Sequence, residues 1–272
     1  YYAGGGYDFT LLLKRWIEFG EFVFCGRTHD PSALDTCVRR SRTKLYMSSF
    51  DADFLAHLAE HWLSESRWKR FNEVLDQRTR YLTVVMDNLY QLQNASAVMR
   101  SCEAMGVQDV HLITRDDELK HERGIAMGSS YWLSVHRHEG AASNLKAIKH
   151  LKDKGYRLVA TSPHADGVTL DELVIDQPTA LLFGEEKPGL SDELLDAADA
   201  HMRIPMSGFA ESYNVSVSVA LCLYALLPKL RSSALPWQLE ASERHDLALA
   251  WARRSVQHIE SIEQRFRALR GD

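Results

Sequence analysis

The apolar positions change their period along the chain, and the change divides it into parts. From Asp51 to Leu75, the residues Leu55, Leu58, Trp62, Leu63, Phe71, Val74 and Leu75 recur at helical spacing, with a break near Ser64 and Ser66. This predicts a pair of helices. Residues 81–87, YLTVVMD, are instead a short β-branched apolar run, the pattern of a buried strand. The two patterns then alternate. Ala95–Met105 reads as a helix closed by Gly106, 107–113 as a strand, 141–154 as a lysine-rich amphipathic helix ending at Gly155, and 156–162 as a strand. TALLFG (179–184) and MRIP (202–205) read as strands, with a helix near 191–198 between them and a long helix from about Tyr213 to Leu227 after them. A last amphipathic helix is expected over roughly 242–269. Such alternation predicts an α/β domain with a mainly parallel sheet, preceded and followed by helices.

Composition narrows the class. The 272 residues are 45% apolar and 25% charged, as in an ordinary globular protein able to bury a core without staples. Cys25, Cys37, Cys102 and Cys222 are far apart and form no CxxC pair, so neither a disulfide framework nor a zinc site is expected, and a reducing, cytoplasmic setting fits. The longest apolar run, Val215 to Leu227, is too short for a bilayer, which takes about 20 apolar residues. Tyr1 to Tyr7 lack the basic start of a secretory signal. His136 and His138 flank an arginine on an expected strand edge with no third ligand nearby, so they read as solvated histidines and no metal is expected.

The net charge of −5 argues mildly against a chain that holds nucleic acid by charge alone, although local clusters can override the total. Arg67, Lys69, Arg70, Arg78 and Arg80 face only Glu73 and Asp76 within 66–80, and Arg253, Arg254, Arg265, Arg267 and Arg270 crowd the C-terminal stretch. These are candidate RNA contacts, with solvated helix faces as an equal alternative. Residues 1–42 hold a glycine run and the stretch WIEFGEFVF, but no motif that assigns them a role.

Ligands of open α/β sheets bind beyond the carboxyl ends of the strands, so the loops there carry the candidate chemistry. Gln93-Asn94-Ala95-Ser96-Ala97-Val98-Met99-Arg100 follows the strand at 81–87, with Asn94 able to cap the helix. Leu182-Phe183-Gly184-Glu185-Glu186-Lys187-Pro188-Gly189 follows the strand at 179–183, and its glycines and proline permit a sharp turn with exposed amides. Ile204-Pro205-Met206-Ser207-Gly208 runs through Glu211 into Ser212-Tyr213-Asn214-Val215-Ser216, where a helix start offers unpaired amides. Each segment alone has an ordinary structural explanation.

Together and in this order, the three segments resemble the signature motifs of the SpoU/TrmH family of methyltransferases, approximately N-x-S/G-A-x-x-R-T/S, F/L-x-G-x-E-x-x-G and I-P-M-x-G-x-x-x-S-L-N-V-S. The match spans about residues 66–230 and is most similar to the branch acting on tRNA guanosines, since helices flank a compact catalytic domain at both ends. The resemblance implies a SPOUT-type fold: a parallel sheet with a C-terminal trefoil knot, flanked by N- and C-terminal helices. It implies transfer of a methyl group from S-adenosylmethionine to a ribose 2′-hydroxyl of RNA, by a cytoplasmic homodimer. It places Asn94, Arg100, Glu186, Ser212 and Asn214 on catalytic positions, the spacing to Gly189 selecting Glu186 over Glu185. It places Thr161, Gly184, Ile204, Met206 and Tyr213 around the cofactor. Two positions depart from the family: Leu92 stands where a proline is usual, and Tyr213 where a leucine is usual.

The expected organisation is an extension over 1–42, a helical RNA-binding segment over 43–80, the methyltransferase domain over 81–230 and a helical tail over 231–272. The motifs do not encode the substrate, which leaves ribosomal RNA as an alternative to tRNA. A non-catalytic knotted RNA-binding protein is a further alternative. A dehydrogenase is disfavoured, because no GxGxxG follows the first strand.

Overall fold

A computed structural model describes residues 49–89, 91–115, 129–163, 167–185 and 188–271. Residues 1–42 and Glu186 lie outside the described residues. Those described fall into two compact units, one from 63–240 and the other joining 49–62 to 241–271.

The larger unit is an α/β domain. It begins with α2 (Glu65–Leu75), where Ser64 caps the helix by accepting the Arg67 amide at 3.2 Å. The strands are β1 (Leu82–Asp87), β2 (Asp109–Thr114), β3 (Ser134–Glu139), β4 (Arg157–Thr161), β5 (Val168–Thr169), β6 (Thr179–Phe183) and β7 (Ala200–Arg203). Among the described residues they form one seven-stranded sheet in the order β3-β2-β1-β6-β4-β7-β5, and every pairing is parallel. Helices α3 (Leu92–Met105), α4 (Ser143–Asp153), α5 (Asp192–Ala197) and α6 (Val215–Arg231) connect or follow them.

The period-2 alternation sorts side chains between two cores. Leu82, Val84, Met86, Leu181 and Phe183 join Val98, Cys102, Val219 and Leu226 of α3 and α6. Val85, Ala180, Leu182, Leu158 and Ala160 join Ala147, Leu151 and Leu194 of α4 and α5. Because both faces are covered, the central strands read as continuous apolar runs rather than as alternating ones. Cys102 and Cys222 are free and buried, and burial pushes both thiols up to about 12.

The smaller unit holds α1 (Ser49–His61), α7 (Ala241–Ser255) and α8 (Ile259–Arg270). Phe50 and Phe54 of α1 meet Phe266 of α8 at 5.6 and 5.3 Å between ring centroids, and Arg253 reaches both Asp51 and Glu263 at 3.4 Å. Two expectations change here. The single helix over 242–269 is broken at His258, whose φ of 56° is left-handed, and the segment expected at 43–80 is divided, because α1 packs with the C-terminal helices and α2 belongs with the sheet.

The histidines also differ from expectation. His111 pairs in register with His136, and His138 follows two residues on, so all three side chains lie on one sheet face. His111 and His138 are buried, their rings 3.1 Å apart between Nδ1 and Nε2, and His150 of α4 lies against the group at 5.5–5.6 Å between centroids. His138 is therefore a buried side chain and His136 a half-buried, stacked one. No helix among the described residues is long and apolar enough to cross a membrane.

Candidate functional site

The carboxyl ends of three adjacent strands, β6, β4 and β7, surround a cavity of about 300 Å³. That is the lower end of the range for small-molecule pockets. Five residues singled out in the sequence, Thr161, Gly184, Ile204, Met206 and Tyr213, line it together with Ser212. Thr161 ends β4, and its hydroxyl donates to the Leu182 carbonyl at 2.7 Å, tying β4 to β6 beside the cavity.

The loop after β6 depends on a glycine. A Cβ at Gly184 would sit 2.1 Å from the Gly189 carbonyl carbon and 2.2 Å from the Leu190 nitrogen, so only glycine permits this approach. The turn closes through paired backbone bonds between Glu185 and Gly189, both 3.1 Å. It brings Glu185, Pro188 and Leu190 to the cavity wall.

The first and third motifs meet beside it. Asn214 caps α6, its Oδ1 accepting the Ser216 amide at 2.9 Å and the Ser216 hydroxyl at 2.6 Å. Its Nδ2 donates to Asn94 Oδ1 at 3.2 Å, across 120 residues of chain. Asn94 is buried and is not the cap of α3, as its spacing had suggested. The helix starts at Leu92 with Gln91 in the cap position, and Asn94 donates back to the Gln91 side chain at 3.2 Å. Arg100 stands on the exposed side of α3, apart from the residues lining the cavity.

Of the basic residues, Arg67, Lys69 and Arg70 are exposed on α2. Arg78 is corrected: it has no exposure, pairs with Glu103 at 3.0 Å and donates to the Val107 carbonyl at 3.1 Å, so it anchors the sheet and cannot meet RNA. Arg80 is partly buried and held by Asp109 at 3.3 Å.

The sequence reading leaves out Ser162, Glu211 and Ser218 and sets Glu185 aside for Glu186, yet all four line the cavity. Glu211 stands inside the quoted third segment and could have been found there. Ser162 carries no local signal.

The mixed wall suits a cationic nucleoside ligand. Met202, Ile204, Leu190 and Leu195 are apolar surfaces on which a purine could lie, and the carboxylates of Glu185 and Glu211 suit hydroxyl groups or positive charge. Among the described residues no group of three or more side chains could hold a metal ion.

Residues 81–224 match the SpoU rRNA Methylase family. The tRNA (guanosine(18)-2'-O)-methyltransferase of Borreliella burgdorferi is 39% identical over 202 residues, covering 74% of this chain and 91% of the relative. That of Escherichia coli K12 is 35% identical over 162 residues, covering 60% and 69%. Among solved structures, the A. aeolicus TrmH/SpoU tRNA modifying enzyme superposes with a TM-score of 0.61 at 31% identity, covering 71% of this chain and 98% of that one. With its family match extending over more than half of its length, this chain belongs to the SpoU family of RNA methylases.

Proposed function

We propose that the chain transfers a methyl group from S-adenosylmethionine to the ribose 2′-hydroxyl of a guanosine in tRNA, in the cytoplasm. One observation carries this reading: the loops after β4, β6 and β7 share one cavity, with the Asn94–Asn214 bond joining the other motif beside it. The relatives' names support tRNA as the substrate and guanosine 18 as the nucleotide.

S-adenosylmethionine would supply an electrophilic methyl on a sulfonium. Thr161, Gly184, Ile204, Met206 and Tyr213 would hold it, much of the contact through backbone groups, and the carboxylate of Glu211 would balance its charge. Asn94, Arg100, Glu186, Ser212 and Asn214 would serve the acceptor side. A guanidinium has a pKa above about 12 and is a poor base at neutral pH. We therefore give Arg100 an electrostatic role, pairing with a substrate phosphate and stabilising the developing alkoxide. Its exposure on α3 suits this role.

Two further features follow the family. The insertion of β4 between β6 and β7, both later in the chain, supports a trefoil knot. Val217, Leu221 and Tyr224 recur at positions i, i+4 and i+7 of α6 and remain 44%, 36% and 74% exposed, an apolar strip that supports a homodimer. Outside the cavity, Arg67, Lys69 and Arg70 would grip RNA, with Arg80 in a lesser part.

The test uses two tRNA transcripts that differ at one atom. The transcript with guanosine at position 18 should accept methyl, and the transcript with 2′-deoxyguanosine there should accept none. Equal methylation of both would move the reaction off the ribose hydroxyl.

A further inference from the structure

Asp87, Asn88 and Arg115 stand at the carboxyl ends of β1 and β2, outside the cavity wall, and no step of the proposed reaction uses them. Their side chains nevertheless converge on the loop that leaves β6. Asn88 Nδ2 donates to Glu185 Oε1 at 2.8 Å, and Arg115 Nη2 lies 3.2 Å from the same oxygen. The same Nη2 is 3.3 Å from Oδ1 of Asp87, a carboxylate with no exposure. Oδ2 of Asp87 accepts the backbone N–H of Ser191 at 2.9 Å. Asn88 closes the set from the other side, its Oδ1 accepting the Arg115 amide at 3.0 Å. Its φ of 51° places it in the left-handed region, where asparagine is tolerated.

The loop is thus fastened at both ends, Glu185 by Asn88 and Arg115, Ser191 by Asp87. Between those ends lie the residues that carry the loop's share of the cavity wall, Pro188, Gly189 and Leu190. Charge makes the arrangement selective. A buried carboxylate near a second one requires a cation between them, and Arg115 lies within 3.3 Å of both.

We propose that Asp87, Asn88 and Arg115 are positioning residues, which preset Glu185 and residues 188–191 for S-adenosylmethionine. The inference rests on the proposed cofactor. Since the clamp acts on the cofactor's wall, its loss should appear in cofactor binding rather than in the rate at saturation.

The test measures cofactor affinity by calorimetry and steady-state methylation of tRNA for the wild type, Asn88→Ala, Arg115→Ala, Arg115→Lys and the Asn88→Ala/Arg115→Ala pair. Each alanine variant should raise Kd and KM for S-adenosylmethionine by about ten-fold or more. Their kcat at saturating cofactor should fall by less than Kd for the cofactor rises. Arg115→Lys should recover part of the loss. The pair should depart from additivity, because both act on one Glu185 oxygen. Unchanged Kd in folded variants, a fall in kcat alone, or full additivity overturns the proposal. If Arg115→Ala does not fold, Asn88→Ala decides the matter, since it leaves the Asp87–Arg115 pair intact. A wild type that binds no S-adenosylmethionine overturns the proposed function and this inference together.

Discussion

At the scale of single residues, the contacts that shape the cavity span long stretches of chain. Gly184 has no room for a methyl group, because backbone of residues 189 and 190 occupies the place where its Cβ would stand. Gly184→Ala should therefore displace the loop after β6 and weaken S-adenosylmethionine binding by about ten-fold or more, read by calorimetry; an unaltered affinity would show that the loop does not form the cofactor's wall. For Arg100 the issue is shape as well as charge. Arg100→Lys should lower kcat by roughly a hundred-fold, since one ammonium cannot reproduce a planar fork. A variant with near-normal kcat and pH profile would remove the guanidinium from the mechanism. Five residues of the candidate site were legible as a group: Thr161, Gly184, Ile204, Met206 and Tyr213 line one cavity. Asn94 and Arg78 were misread for the same reason, that local spacing was the only guide. The Asn94 partner lies 120 residues away, and Arg78 is buried beneath partners 25 and 29 residues on.

At the scale of elements, periodicity located the central strands and the helices around them because both sheet faces are buried. It left β3 without clear bounds, its outward pattern being mostly polar, and β5, with two residues, is too short to leave a pattern. The β2–β3 pair carries the histidine cluster, and its chemistry gives a pH dependence. Burial above all, then the charges of neighbouring histidines, depress His111 to about 3 and His138 to about 4. Both groups thus stay neutral in the fold while an unfolded chain protonates near 6.5. Their contribution to stability is complete above that value and is lost as pH falls from 6.5 towards 4 and then 3. Between pH 7.5 and 5, urea denaturation should show a loss of roughly 2 to 4 kcal/mol. His138→Gln should lessen that slope, and an identical slope in the variant would locate the dependence elsewhere. Helix α2 supports a separate prediction. Reversing the charge at Arg67, Lys69 and Arg70, all exposed, should weaken tRNA binding and flatten its salt dependence while sparing cofactor affinity. Loss of both together in a binding assay would signal misfolding instead.

At the scale of the whole molecule, the strand order decides where the chemistry sits. By placing β4 between β6 and β7, the chain brings three loops from separate stretches to one edge, where a single cavity opens. No periodicity encodes such an order. The apolar strip on α6 belongs to this scale as well. Tyr224 is 74% exposed, and Tyr224→Glu should shift the chain from dimer to monomer in sedimentation; a chain that is monomeric before the change would refute the homodimer. The central claim, methyl transfer to a tRNA ribose, has one most direct measurement: incubation with labelled S-adenosylmethionine and either unmodified total tRNA or ribosomal RNA, followed by nucleoside analysis. The account predicts labelled 2′-O-methylguanosine in tRNA; label in ribosomal RNA alone would contradict the substrate, and label in neither would contradict the activity.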